Sequence, residues 1–253
     1  MASETIVRVT KLSKSYDNKV AVDKISFEVN KGEVFGILGP NGAGKTTTLE
    51  MMETLRPIDG GEILIDGINV DKNPAAIKRI IGVQPQTAAF NDKQTLLEII
   101  EMFAAAYGEK VNAMSLLEEV ELGEKARSYA EQLSGGQRQR LSIAAALVHS
   151  PKVFFMDEPT TGLDPQARRN LWDLTRMVQA KGVTVILTTH YMDEAELLCG
   201  RVAIMDKGKI ISLDTPHALI RQLLKKGFKK EQQVEQANLE DVFIDLTGKA
   251  LRD

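Results

Sequence analysis

Two hydrophobic patterns predict strands in the first third of the chain. Residues 24–29, KISFEV, place Ile25, Phe27 and Val29 at every second position, which predicts a half-buried strand. Residues 33–39, EVFGILG, form a nearly continuous apolar run that predicts a strand buried on both faces. Further along the chain, alternation returns at residues 61–67, and buried-strand runs return at 152–159 and 183–190.

A helical pattern takes over in the middle of the chain. Apolar residues recur at helical spacing through residues 87–145, which predicts a helical insertion with Ser134 as the N-cap of its last helix. Residues 165–182 predict another helix, with Pro165 at its start and Gly182 just past its end.

The order of these elements predicts the fold class. Strand, helix and strand alternate, then residues 201–214 predict a hairpin that turns at Lys207 and Gly208, and residues 217–253 predict a charged helical tail. Such alternation is typical of an α/β protein with a largely parallel sheet covered by helices. Ligands of such sheets bind at the carboxyl ends of the strands.

The segment GPNGAGKTT lies between a predicted strand and a predicted helix, and it fits G-x-x-x-x-G-K-[ST]. Its glycines let backbone N–H groups wrap phosphates, Lys45 reaches the terminal phosphates, and the Thr46 hydroxyl ligates Mg²⁺. Taken alone, the loop indicates a nucleoside triphosphate site, as in kinases, GTPases and ATPases. The candidate nucleotide-binding residues are Gly39, Pro40, Asn41, Gly42, Ala43, Gly44, Lys45, Thr46 and Thr47.

Two acids end the buried strand 153–156, where the phosphates are expected. Asp157 is a candidate to hold Mg²⁺ through its water shell. Glu158, which strand alternation would point the other way, is a candidate general base for the attacking water. His190 closes the next buried strand, and we expect it to contact the terminal phosphate. The alternatives are an acid pair that caps the next helix and a purely structural histidine.

A second phosphate-type segment opens the last helix of the insertion. LSGGQRQRL, residues 133–141, begins with a serine, two glycines and a glutamine. Glycines and a helix N-terminus both favour a bound anion. The chain therefore has two such segments nearly a hundred residues apart.

Together these motifs resemble the ABC ATPase family. GPNGAGKTT, LSGGQ, VFFMDE, GLD and His190 occur in the family's order and at approximately its spacing. The resemblance covers essentially the whole chain as one domain, and it implies an α/β P-loop NTPase (RecA-like) core with an N-terminal antiparallel β subdomain and an inserted α-helical subdomain. The implied boundaries are residues 1–86 and 146–216 for the core, 87–145 for the helical subdomain and 217–253 for the tail.

The resemblance also answers why there are two phosphate-type segments. Family members hydrolyse ATP as head-to-tail dimers, in which the signature of one subunit closes over the ATP on the other subunit's phosphate loop. The signature positions here, which imply contact with the partner's ATP, are Ser134, Gly135, Gly136 and Gln137.

Further roles follow from the resemblance one position at a time. Tyr16 matches the aromatic residue that stacks on adenine, and Asp164 matches an acid that communicates across the dimer. Gln86 matches the glutamine that contacts Mg²⁺ and the attacking water; it is preferred over Gln84 because it follows the proline. Gly200 is a departure, since relatives often have aspartate between the cysteine and arginine.

The segments PTTGLDP, TTHYMDEAELLC and LEDVFIDLTGKALRD resemble ATPases of drug, antibiotic and polysaccharide exporters, including the daunorubicin-resistance type. This implies the ATP-hydrolysing subunit of an exporter at the cytoplasmic face of the membrane, paired with a second copy or a paralogous subunit. No apolar run approaches 18 residues, so we expect a separate transmembrane permease.

The alternative function is a soluble ABC ATPase that acts on ribosomes or DNA. Ribosome-acting relatives usually join two such domains in one chain, and chromosome-binding ones insert long coiled coils; this sequence has neither. The net charge of −3 also argues against a nucleic-acid partner. The single cysteine, Cys199, permits no internal disulfide and fits a reducing compartment.

Overall fold

The computed structural model describes residues 4–17, 19–86 and 89–228. The chain divides into two compact units, residues 1–217 and 218–253. The strands are β1 (Thr5–Tyr16), β2 (Lys19–Asn30), β3 (Val34–Leu38), β4 (Gly60–Ile65), β5 (Ile68–Asn69), β6 (Ile81–Gln84), β7 (Val153–Asp157), β8 (Thr184–Thr189), β9 (Arg201–Asp206) and β10 (Lys209–Asp214). The α-helices are α1 (Lys45–Met52), α2 (Pro74–Lys78), α3 (Leu96–Tyr107), α4 (Ala113–Glu119), α5 (Gly135–Leu147), α6 (Pro165–Ala180), α7 (Met192–Leu198) and α8 (Pro216–Lys225).

The strands form two sheets. An antiparallel sheet has the order β2-β1-β4-β5, and a six-stranded sheet has the order β10-β9-β3-β8-β7-β6. In the larger sheet only the β9–β10 pair is antiparallel, so the carboxyl ends of β3, β6, β7 and β8 share one edge. The predicted α/β fold with an N-terminal antiparallel sheet is therefore confirmed.

Both faces of the larger sheet are buried. In β7, Phe154 and Met156 enter a hydrophobic core that includes the helical insertion, whereas Val153 and Phe155 enter a second core shared with the antiparallel sheet. Burial on two faces explains why the strand reads as a continuous apolar run rather than an alternating one.

Most local predictions are confirmed. Lys207 and Gly208 both have positive φ at the β9–β10 turn, Pro165 starts α6, Gly182 follows it at φ 87°, and Ser134 caps α5. In the insertion, the first α-helix is α3, which begins at Leu96 rather than near residue 87. The last helix, α5, ends at Leu147, two residues beyond the predicted boundary at residue 145. The predicted tail helix is observed as α8; its continuation over residues 229–253 lies outside the described residues.

Gly82, in β6, fixes how closely α5 packs on the larger sheet. A Cβ at this position would lie 2.6 Å from the carbonyl oxygen of Ala146 and 3.0 Å from Pro151 Cγ. At Gly200, by contrast, a Cβ would meet only the Val34 carbonyl oxygen, at 3.7 Å.

We expect Gly82→Ala to lower the free energy of unfolding by about 1–3 kcal/mol, because backbone atoms must move to admit the methyl group. The matched control, Gly200→Ala, should be neutral or stabilising by up to about 1 kcal/mol, because it only reduces the entropy of the unfolded chain. Urea denaturation monitored by circular dichroism measures both values. Equal stability of the two variants would contradict the close approach at Gly82.

Candidate nucleotide site

The phosphate loop joins β3 to α1 and packs tightly against its surroundings. Gly44, at φ 101°, precedes α1, and a Cβ there would lie 2.4 Å from the Ala21 carbonyl oxygen. A Cβ on Gly39 would lie 2.1 Å from the Met205 carbonyl oxygen. Both glycines are therefore required by the chain's own packing. The loop therefore packs closely at the carboxyl edge of the sheet, and α1 begins directly after Gly44.

A cavity of about 430 Å³ opens over this loop. It brings together residues that are widely separated in sequence: Tyr16, Gln86 and Glu158 line it with the loop itself. Gln84, in contrast, is fully buried away from solvent. The lining residues are Tyr16, Lys19, Ala21, Asn41, Gly42, Gly44, Lys45, Thr46, Thr47, Gln86 and Glu158.

Lys45 and Glu158 form a buried ion pair at the bottom of this cavity. Lys45 Nζ lies 3.1 Å from Glu158 Oε1 and donates hydrogen bonds to the carbonyl oxygens of Gly39, at 2.9 Å, and Pro40, at 3.2 Å. The other carboxylate oxygen of Glu158 lies 3.2 Å from His190 Nδ1. His190, whose ring also contacts the ring of Tyr191, therefore reaches the site through the Glu158 carboxylate.

The backbone at Glu158 differs from the strand geometry assumed in the sequence analysis. β7 ends at Asp157, and Glu158 has φ 45°, a left-handed conformation that is uncommon for glutamate. Its N–H group donates to both the carbonyl oxygen and the hydroxyl of Thr188. The two acids therefore diverge because of a strained turn, and the expectation from strand alternation was wrong. Such strain is concentrated at functional sites.

Electrostatics distinguishes the two acids. Burial raises the pKa of Asp157, against hydrogen bonds that Thr188 and Thr46 donate to its carboxylate. Burial acts in the same direction on Glu158, but Lys45 and His190 outweigh it, so the pKa of Glu158 lies below its ordinary value. Glu158 is therefore held as a carboxylate near neutral pH.

Thr46 and Asp157 supply the oxygen ligands that Mg²⁺ prefers. Their Oγ1 and Oδ1 atoms are 3.2 Å apart. No group of three or more His, Cys, Asp or Glu side chains suited to a metal occurs in residues 4–17, 19–86 and 89–228. Mg²⁺ in proteins is commonly held by one or two carboxylates together with substrate phosphates.

The signature segment lines a separate cavity of about 360 Å³. Ser134 and Gln137 form a capping box: Ser134 Oγ accepts from the Gln137 N–H, and Gln137 Oε1 accepts from the Ser134 N–H. Asp164, the N-cap of α6, lines the same cavity. The cavity at the signature shares no lining residue with the cavity over the phosphate loop. The residues that line the cavity at the signature are Ser134, Gly135, Gly136, Gln137, Arg140, Gly162, Leu163, Asp164, Gln166, Ala167 and Asn170.

Sequence analysis missed Thr188, whose hydroxyl donates to Asp157 and accepts from the Glu158 N–H. The signal was the polar end of a strand that is otherwise apolar, TTH at residues 188–190. Thr188 is fully buried between the two acids, so it orients both of them.

Gly200, where relatives often have aspartate, has local contacts of its own. Its backbone N–H donates to the Val34 carbonyl oxygen, and the neighbouring Arg201 pairs with Glu33.

Comparisons with known proteins agree with this geometry. The family model described as "ABC transporter" matches residues 22–161. The linearmycin resistance ATP-binding protein LnrL of Bacillus subtilis (strain 168) is 41% identical over 86% of this chain and 72% of its own length. A Nod factor export ATP-binding protein I of Paraburkholderia xenovorans (strain LB400) is 43% identical over 86% of this chain and 73% of its own length.

A solved structure extends the comparison to an assembled form. The dimeric post-hydrolysis state of the ATP-binding cassette MJ0796, bound to ADP and phosphate, superposes with a TM-score of 0.73 at 26% identity. The match covers 83% of this chain and 98% of that chain. In the described parts of the present protein, no helix is long and apolar enough to span a bilayer. The phosphate loop, the paired acids and the signature, together with these matches, establish that this chain belongs to the ABC transporter family of ATP-binding proteins.

Proposed function

We propose that this protein is the ATP-hydrolysing, energy-coupling subunit of an exporter, peripheral to the cytoplasmic face of a membrane. The observation that carries the proposal is the contact of the Glu158 carboxylate with both Lys45 and His190 in the cavity over the phosphate loop. This contact supports Glu158 as an ionised base beside Lys45, which we expect to bind the terminal phosphates.

In the proposed mechanism, the triphosphate draws the Lys45 ammonium away from Glu158. The carboxylate, no longer paired with Lys45, becomes more basic and accepts a proton from the attacking water. The water oxygen bonds to the γ-phosphorus as the bond between that phosphorus and the ADP oxygen breaks, which leaves ADP and phosphate. His190 holds the carboxylate from its other side, and Gln86 orients the water at the cavity wall. Thr46 and Asp157, with support from Gln86, would hold Mg²⁺, which would neutralise part of the phosphate charge.

Tyr16 is proposed as the adenine platform. Tyr16 is 37% exposed and lines the cavity, and Lys14 Nζ and Arg56 Cζ lie over its ring, 5.7 and 5.5 Å from the ring centroid. An aromatic ring with two cations over it suits a base joined to a triphosphate, because the base can stack on the ring in place of a cation and the cations attract the phosphates.

The two separate cavities support a head-to-tail dimer as the hydrolysing unit. In one chain, the signature segment and the phosphate loop line different cavities. A Cβ on Gly135 would meet nothing within 4 Å, so the chain's own packing does not require glycine there. An approaching phosphate does benefit from glycine, since it leaves the N-terminal N–H groups of α5 open. We infer that the phosphate belongs to ATP on a second subunit.

The exporter role is supported by the relatives, one of which is named for Nod factor export. We expect the Glu158→Gln protein, captured from native membranes with ATP, to retain a multi-span membrane protein identifiable by mass spectrometry. The same capture without nucleotide is the control. Recovery of ribosomal or DNA-repair proteins without any membrane protein would support the alternative function and contradict this one.

A further inference from the structure

Two glutamines connect three segments of the candidate site. Gln84 ends β6, two residues before Gln86, and its Nε2 donates to Gln139 Oε1 at 2.8 Å. Gln139 lies on α5, and its Nε2 donates to the carbonyl oxygen of Pro159 at 3.3 Å. Pro159 directly follows Glu158. Two hydrogen bonds in series therefore link the strand before Gln86 and the signature helix to the residue next to the candidate base.

We call the two hydrogen bonds from Gln84 to Gln139 and from Gln139 to Pro159 the relay. The chemistry of the groups fixes which of them donates and which accepts in each bond. A carbonyl oxygen only accepts hydrogen bonds, so Gln139 must present its NH₂ group to Pro159. Its amide oxygen then faces Gln84, which must donate in turn. Neither side-chain amide can be reversed without placing two donors or two acceptors against each other.

The relay gives the turn at Glu158 and Pro159 a second attachment, separate from its bonds to β8. The Glu158 N–H is bonded to Thr188 of β8, whereas the Pro159 carbonyl is bonded to α5. Gln84 is 0% exposed, and its amide oxygen has no hydrogen-bond partner among the described residues. Losing the bond to Gln139 would leave a second buried polar group of Gln84 unpaired, so burial favours the connected arrangement.

We propose that Gln84 and Gln139 are positioning residues that transmit the orientation of the signature helix to Glu158. The inference rests on the proposed function, in which Glu158 is the base for ATP hydrolysis. When α5 is in the position seen here, Pro159 is held and Glu158 is aligned. A shift of α5 relative to β6 breaks the relay and frees the turn at Glu158 and Pro159. Hydrolysis therefore depends on the position of the helical insertion relative to the larger sheet.

The test is a double-mutant cycle of Gln84→Leu and Gln139→Leu in the full chain, with kcat and KM for ATP hydrolysis and the equilibrium Kd for ATP. We expect each single variant to lower kcat about tenfold through misplacement of Glu158, with Kd unchanged. Because the bonds act in series, the double variant should lose no more than either single variant.

Two further variants separate this role from a purely structural one. Gln139→Glu accepts from Gln84 but cannot donate to Pro159, so its kcat should fall as far as that of Gln139→Leu. Gln179→Leu is the matched control, since the half-buried Gln179 donates to the Gly32 carbonyl oxygen at 3.0 Å, away from the cavity. It should retain wild-type kcat.

Additive losses, or a kcat for the relay variants no lower than that of Gln179→Leu, would overturn the inference. If Gln84→Leu does not fold, Gln139→Glu against Gln179→Leu decides the question. An inactive wild-type protein would refute the proposed function instead, so the two failures are distinguishable.

Discussion

Glu158→Gln is expected to abolish ATP hydrolysis while leaving ATP binding intact. Glutamine keeps the shape of the side chain but cannot accept a proton from water, so the rate should fall by about 10²- to 10⁴-fold. Affinity should be retained or increased, because the ionised carboxylate 3.1 Å from Lys45 competes with the phosphates for that ammonium. Without hydrolysis, ATP should hold two subunits together, since the γ-phosphate contacts both of them in the proposed dimer.

Phosphate release, equilibrium ATP binding and size-exclusion chromatography measure these three effects. Glu196→Gln is the matched control, because Glu196 is an exposed carboxylate on α7. It should behave as wild type. A Glu158→Gln protein that hydrolyses ATP at the wild-type rate would remove Glu158 from the mechanism, and loss of ATP binding would show that its main role is to support the phosphate loop.

The positions of the phosphate loop and the paired acids were predictable because each lies in a short segment of recognisable residue types. Lys45 and Thr46 follow a glycine loop between a strand and a helix, and Asp157 ends a buried strand. The parallel sheet then brings these segments together, since its strands share one carboxyl edge. Local pattern and topology were sufficient for this part of the site.

The contacts between segments were not predictable in the same way. The Glu158–His190 contact depends on a left-handed backbone at Glu158. None of the residue types in MDEP, residues 156–159, predicts that conformation. The sequence favours Gln86 over Gln84 because Gln86 follows the proline, whereas burial of Gln84 and its bond to Gln139 give Gln84 a different place in the site. Such pairings depend on how α5 packs on β6, and periodicity does not specify that packing.

Ser134→Arg is expected to block hydrolysis without preventing ATP from binding to the phosphate loop. In one chain, Ser134 and Lys45 line different cavities, so arginine at position 134 leaves the chain's own nucleotide site unchanged. In the proposed dimer, the bulky side chain enters the space where the partner's ATP must fit. Loss of the cap should cost only about 1 kcal/mol of stability. Asn112→Arg is the control, because it also replaces a helix N-cap by arginine, on α4.

Mixing two inactive proteins tests the head-to-tail arrangement directly. Lys45→Ala removes the ammonium group proposed to bind the phosphates, and Ser134→Arg is expected to block the signature. A heterodimer of the two has one composite site with both Lys45 and Ser134 intact, so an equimolar mixture should recover about a quarter of wild-type activity if subunits pair randomly and sites act independently. Each variant alone should remain inactive. If both segments served ATP within one chain, mixing would restore nothing, and the second phosphate-type segment would need another explanation.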